Sequence, residues 1–285
     1  ETNDAVKVLI EHLTGDESND EVIVRYILNI ASSIDHDSPL LSPLSDSNVL
    51  LRLFNIGMTS KSESLKASAF GIMNQLVSSF DNTGECGTGK SLMHNTLQFI
   101  TDHINEICEF IQREGIFLKS KSAAIELLSS GVLILTEIPQ EVWNVLEYLW
   151  KSVFNFPTHT FIHRAFLTLF ESVYSTVSDS PEMDSFVDRL GMHHSIVAAY
   201  SKKRELFASY WPYLYTVANF ISERGECDEE WKKFICGKFS DITNVISRNY
   251  GGPTPNDNFF DSSDSDDFHF KKDLIFDNDF VEDEE

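Results

Sequence analysis

The stretch Gln140-Glu141-Val142-Trp143-Asn144-Val145-Leu146-Glu147-Tyr148-Leu149-Trp150-Lys151-Ser152-Val153 puts Val142, Val145, Leu146, Leu149, Trp150 and Val153 at offsets of 0, 3, 4, 7, 8 and 11. On a helix of about 3.6 residues per turn these positions form one apolar stripe, flanked by Glu, Asn and Lys on the other faces. A strand would need alternation with a period of two, and the stretch shows none. The same spacing recurs along the chain. Ile23, Ile27, Ile30, Ala31 and Ile34 lie on one helical face, as do Leu97, Ile100, Ile104, Ile107, Cys108 and Ile111. Residues 64–80 read as a further helix through Leu65, Ala69, Ile72, Met73, Leu76 and Phe80.

Boundary residues agree with this reading. Pro139 and Pro181 sit where a first helical turn can spare an N–H, with Ser180 placed to cap the second of these helices. Gly191 after Leu190 suits a helix C-terminus, and Asp228 before Glu229-Glu230-Trp231 suits an N-cap with favourable first-turn charge. About a dozen helices joined by short loops are expected, in an all-α fold. Consecutive helix pairs recur at roughly the 40-residue interval of armadillo and HEAT units, so an armadillo/HEAT-like α-solenoid is the expected architecture.

The 285 residues are 42% hydrophobic and 12% aromatic, enough for a substantial core. Acidic residues outnumber basic ones 45 to 22, a formal net charge of −23. That charge opposes binding to phosphate backbones and anionic membrane surfaces, so neither nucleic acid nor membrane is expected as a partner. No apolar run approaches the roughly 20 residues of a membrane-spanning helix, and no signal-peptide pattern opens the chain. Cys86, Cys108, Cys227 and Cys236 match neither zinc nor redox spacing, which points to a reduced intracellular compartment.

Composition changes at Gly251-Gly252-Pro253-Thr254-Pro255. Residues 256–285 then carry 12 acidic and two basic side chains, a net of −10. The expected organisation is a helical-repeat domain over 1–250, truncated at its N-terminus, followed by a disordered acidic tail over 251–285. Phe259, Phe260, Phe268, Phe270, Phe276 and Phe280 are threaded among the acids and are candidate anchors for a partner. Ser263, with acidic residues at the next and third following positions, is a candidate phosphorylation site for an acid-directed kinase.

Enzyme-like signals are sparse. Gly84-Glu85-Cys86-Gly87-Thr88-Gly89-Lys90-Ser91 satisfies the phosphate-binding G-x-x-x-x-G-K-[ST] pattern. A working loop of that kind needs a buried strand leading into it, whereas here a helix is expected to precede it. Val132-Leu133-Ile134-Leu135-Thr136-Glu137 is the only apolar run resembling a second strand. It continues the helical spacing of Ala124, Leu127, Leu128, Gly131 and Leu135. A Gly-rich loop between helices is the simpler reading, and P-loop nucleotide binding is the lesser alternative. His159 and His163, four apart, lack a third ligand and the Glu of a metalloprotease helix. No catalytic, cofactor-binding or metal-binding residues are nominated, and no cofactor is expected.

Several short landmarks occur in a fixed order. They are Phe154-Asn155-Phe156-Pro157, Phe161-Ile162-His163, Tyr210, Leu214, Val217-Ala218-Asn219-Phe220-Ile221, Trp231-Lys232-Lys233-Phe234, Asn244 and Ser262-Ser263-Asp264-Ser265-Asp266-Asp267-Phe268. This order resembles the SAPS family, the regulatory subunits of a type-6, type-2A-like serine/threonine protein phosphatase. Residues 154–163 look like the family's aromatic stretch ending in Asn-Asn-Phe-Leu-His, with His159-Thr160 in place of the paired asparagines. Residues 210–221 are similar to its Gly-Tyr-x-x-x-Leu-x-x-Ile-Ala-Asn stretch, with Ser209 in place of the glycine. Residues 118–128, with Ile125-Glu126-Leu127-Leu128 as core, look like the helix before the aromatic stretch. The resemblance covers residues 118–268, and the family's N-terminal landmarks are absent.

The resemblance implies a non-catalytic regulatory scaffold that binds the phosphatase catalytic subunit and directs it to substrates or further adaptor subunits, in the cytoplasm and also the nucleus. The alternative is an unrelated α-solenoid adaptor for another protein. Trp231 and Phe234, three apart with large apolar side chains, are expected to face the chain's own core.

Overall fold

The computed structural model describes residues 4–13, 17–33, 41, 43, 44, 46–78, 88–178, 180–201, 208–222, 224, 225 and 227–246. The described residues are mostly helical, with no strand among them. In chain order they form α1 (Asp4–Glu11), α2 (Glu17–Ser33), α3 (Ser47–Thr59), α4 (Glu63–Ser78), α5 (Thr88–Asp102), α6 (Ile104–Gln112) and α7 (Lys119–Val132). There follow α8 (Gln140–Asn155), α9 (Thr160–Val177), α10 (Pro181–Arg189), α11 (Met192–Ser201), α12 (Trp211–Ile221) and α13 (Glu229–Phe234). A π-helical turn, Ile235–Phe239, and α14 (Ser240–Ile246) complete the set. No helix among the described residues is long and apolar enough to cross a membrane.

The chain divides into two compact units, Glu1–Gly237 and Lys238–Glu285. In the second, α14 is tied to the preceding turn by the Thr243 hydroxyl, which donates to the Phe239 carbonyl at 3.0 Å. In the first, successive helices pack in a row. α2 lies against α4, α4 against α7, α7 against α9 and α9 against α12. The intervening helices flank this row: α3 and α5 pack on α4, α6 on α7 and α8, α8 on α9, and α11 on α12 and α13.

The apolar stripes lie between these helices. All six stripe residues of α8 are buried, as are Ile23, Ile27 and Ala31 of α2 and Leu65, Ala69, Ile72, Met73 and Leu76 of α4. Burying one such aliphatic side chain contributes roughly 1.5–3 kcal/mol, so these faces supply most of the cohesion. Close approach is allowed by glycine at two positions. A Cβ on Gly57 of α3 would lie 2.7 Å from the Phe70 ring of α4, and one on Gly131 of α7 would lie 2.6 Å from Cγ2 of Ile100 in α5.

Two local expectations need correction. The stripe from Leu97 to Ile111 is buried throughout but belongs to two helices, because the chain breaks at His103 between α5 and α6. The His103 Nδ1–H donates to the Phe99 carbonyl at 2.8 Å, and the ring stacks on Phe99 with centroids 4.2 Å apart. Ser180 occupies the N-cap position of α10 with extended backbone, yet its hydroxyl makes no capping bond. Asp228 does cap α13, accepting from the Trp231 N–H at 2.7 Å. Gly191 has φ +54 after α10, the left-handed conformation expected of a residue following a helix.

Candidate interaction surface

An α-helix leaves its last carbonyls without intrahelical partners. In this chain, side chains from distant helices satisfy several of them. Arg113 donates to the Met58 carbonyl at the end of α3 (3.2 Å), and Lys121 of α7 donates to the Arg113 carbonyl after α6. The Thr176 hydroxyl of α9 reaches the Val132 carbonyl of α7 (3.3 Å) and the Ser172 carbonyl one turn back (2.9 Å). His193 donates to the Ile221 carbonyl of α12 (3.1 Å), and the Trp231 indole N–H to the Ser222 carbonyl (3.1 Å).

The densest joint of this kind is made by the stretch that carries the family resemblance. Helix α8 ends at Asn155, and Pro157 cannot continue it because it lacks an N–H. The Phe156 carbonyl then accepts from the His159 N–H at 3.0 Å and from the His163 imidazole at 3.1 Å. A carbonyl can only accept, so His163 carries its proton on Nε2, and Nδ1 accepts from the Ser209 hydroxyl at 3.2 Å. The Ser209 N–H in turn donates to the Pro157 carbonyl at 2.8 Å. Around this polar core Tyr210 meets Phe154 and His163, with ring centroids 5.9 and 6.0 Å apart.

Residues 154–163 and 209–210, about fifty residues apart, therefore form one joint between the α8–α9 turn and the start of α12. Burial lowers the His163 pKa below its ordinary value near 6.5, against the raising effect of hydrogen bonds to the Phe156 and Val153 carbonyls, so the ring is neutral at pH 7. Ser209 and His163 make a hydroxyl–imidazole pair without nucleophilic character. The imidazole is sealed from solvent, and its other nitrogen is bonded to a carbonyl instead of a carboxylate.

Beside this joint the α6–α7 loop and the α8–α9 turn enclose an open cleft of about 670 Å³. Gly115, at φ +122, turns the α6–α7 loop so that Phe117 points inward while Ile116 stays 77% exposed. Phe117 meets the edge of His159 (5.8 Å), and His159 meets Phe161 (6.1 Å), linking the two loops through rings. His159 also caps α9, its Nδ1 accepting from the Ile162 N–H at 3.4 Å. Phe156 is 53% exposed, and Phe161, on the first turn of α9, 60%. Sequence periodicity missed this surface because its apolar residues lie in loops and at helix ends. The available signal was Ile116-Phe117-Leu118, three apolar residues in a loop bounded by Arg113-Glu114-Gly115 and Lys119.

The other nominated residues fall elsewhere. Phe259, Phe260, Phe268, Phe270, Phe276, Phe280 and Ser263 lie outside the described residues. Of the P-loop-like pattern, Gly84, Glu85, Cys86 and Gly87 also lie outside them, and Thr88 opens α5. The element described before that pattern is the helix α4, and the run after Val132 leaves α7 as a turn instead of forming a strand. Trp231 and Phe234 are buried, Trp231 stacking on His193 (4.4 Å) and Phe234 meeting Tyr200 (5.3 Å). They face the core as expected. Among the described residues no group of three His, Cys, Asp or Glu side chains could hold a metal ion. Burial, with a smaller push from the Glu141 charge, raises the Cys108 thiol to about 12, which leaves it un-ionised and unreactive near neutral pH.

Comparison of the chain with protein-family models and with curated protein sequences finds no match. The likeness to the SAPS family thus stands on the ordered landmarks themselves.

Proposed function

We propose that this chain is a non-catalytic scaffold that binds the catalytic subunit of a type-2A-like serine/threonine protein phosphatase and directs it to substrates or further adaptor subunits. The observation that carries this reading is the order of the SAPS-like landmarks; two of them, residues 154–163 and Tyr210, also meet through their rings, while Ser209, which makes the hydrogen bonds of that joint, stands where the family has glycine. The row α2, α4, α7, α9, α12 supports an armadillo/HEAT-like solenoid, whose long faces can hold two partners at once and raise their effective concentration. The proposed locations are the cytoplasm and nucleus.

A second reading is an α-solenoid adaptor unrelated to phosphatases. It is favoured by the absence of any matching family model. Affinity capture of the tagged chain from its own cell extract, at two salt concentrations, separates the two. Salt-resistant recovery of a phosphatase catalytic subunit supports the first. Recovery of other proteins without any phosphatase rejects it.

A further inference from the structure

One wall of the cleft is extended chain whose backbone has no partner. Exposure alternates along the α6–α7 loop, 77% at Ile116, 8% at Phe117 and 45% at Leu118, and Leu118 has φ −108 and ψ 175. The N–H and C=O groups of Ile116 and Phe117 form no hydrogen bond among the described residues. The next carbonyl, that of Leu118, accepts from the Lys121 N–H at 3.1 Å as α7 begins. Two carboxamides share the lining, Gln112 at the end of α6 and Asn155 at the end of α8. Both are exposed, and neither side chain is hydrogen-bonded among the described residues.

The charges of the lining are engaged and balanced. Arg113 donates to the Met58 carbonyl at 3.2 Å, Lys151 is paired with Glu147 at 2.8 Å, and Glu114 is the one carboxylate of the lining. Arg113 and Lys151 against Glu114 and the bonded Glu147 leave no net charge. The remaining contact surface is apolar and comes chiefly from Ile116 and the half-exposed Phe156 ring.

We infer that this cleft binds an extended, uncharged segment of a partner protein, whose main chain pairs with Ile116 and Phe117 and bonds to the Gln112 and Asn155 carboxamides, with an apolar side chain seated against Ile116 and Phe156. A carboxamide carries both a donor and an acceptor, as a peptide unit does, so the polar groups of the cleft match a main chain and would be left unpaired by an acyl chain. An ionised side chain would meet no net opposite charge. Pairing along an open backbone edge supplies affinity, and the apolar contact supplies selection. The inference rests on the scaffold part of the reading above and not on the identity of the enzyme it holds.

The test is selection of a random peptide-display library on the full chain, followed by anisotropy titration of the enriched peptides. These should be rich in Val, Ile, Leu or Phe and free of Asp, Glu, Lys and Arg at the selected positions. Replacing single peptide N–H groups by N-methyl should weaken binding about tenfold at one or more positions, a change of roughly 1.4 kcal/mol that side-chain contact alone would not produce. Ile116→Ser and Phe156→Ser should weaken it to a similar extent, whereas Phe161→Ser, outside the lining, should not. Raising the salt from about 0.1 to about 0.5 M should change the affinity by less than about twofold. Ile116 and Phe156 are exposed, so unchanged thermal melting should accompany the loss. Enrichment of charged peptides, tolerance of every N-methyl group, equal binding by the Ile116 and Phe156 variants, or no enrichment overturns the inference. Those outcomes leave the phosphatase reading intact, just as failure to capture a phosphatase leaves the cleft intact.

Discussion

The α4–α7 seam and the α9–α12 joint hold helices together by different means. Along the seam, two regular helices lie against each other, with Ala69 and Met73 of α4 and Ala124 and Leu128 of α7 buried, and polar links add to the packing. There Glu63 of α4 accepts from the N–H and the hydroxyl of Ser120 at the start of α7, at 2.6 and 2.8 Å, and Asn74 donates to the Ala123 carbonyl at 3.0 Å. At the α9–α12 joint the neighbour is irregular backbone, and rings and an imidazole fill the space. A helix satisfies its own interior carbonyls, so apolar shape suffices where helices meet along their length. A buried turn does not, and it requires donors from elsewhere.

The largest expected effect tests the aromatic side of this contrast. Trp231→Ala should lower stability by about 3–5 kcal/mol in chemical denaturation, because it removes a ring that is 1% exposed and an indole donor to the Ser222 carbonyl. A loss below about 1 kcal/mol would show that the ring does not hold α13 to α11.

The two regions can then be compared directly. His163→Leu keeps the volume roughly but removes one donor to the Phe156 carbonyl and the acceptor of the Ser209 hydroxyl; the carbonyl keeps the His159 N–H and the hydroxyl can turn to the Pro157 carbonyl, so two net hydrogen bonds, about 1–3 kcal/mol in all, should be lost. On the regular-helix side, Gly131→Val should cost about 1–3 kcal/mol where α5 approaches α7, by overpacking against Ile100. If Gly131→Val is neutral, the approach of α5 and α7 is looser than the 2.6 Å separation implies.

A pH profile sharpens the same contrast, since the joint contains a titratable group and the seam's apolar centre does not. The folded-state pKa of His163 lies below its ordinary value near 6.5, so the unfolded chain takes up the proton first. Its stabilising contribution is complete above pH 6.5 and declines as the pH falls below that value toward the folded pKa. Urea midpoints across this interval should fall more steeply for the wild type than for His163→Leu. Parallel profiles would remove His163 as the cause. The smallest effect is expected at Phe161, an exposed ring on the first turn of α9, where Phe161→Ser should change stability by less than about 0.5 kcal/mol.

Much of the fold was legible because helical burial repeats with the helix period. The stripes of α2, α4 and α8 mark buried faces, and Asp228 and Gly191 mark helix ends by local chemistry. The break at His103 was not legible. α5 and α6 both turn apolar faces to α7, so the stripe runs through the break unaltered. The trans-capping bonds were hidden for another reason. Arg113 to Met58, Thr176 to Val132 and Ser209 to Pro157 span separations of 55, 44 and 52 residues, over which no local pattern operates. The cleft lay in loops, where apolar residues carry no period.

By itself the sequence determined the helical class, the buried faces, the acidic balance and the ordered landmarks, because each follows from local spacing or from composition. Tertiary structure alone decided that residues 154–163 and 209–210 share one joint and that His163 donates to the Phe156 carbonyl. It also decided that Ile116 and Phe156 line one cleft between the α6–α7 loop and the α8–α9 turn. Those outcomes depend on which helix ends are brought together, and that is set by the packing of whole faces and not by any one segment.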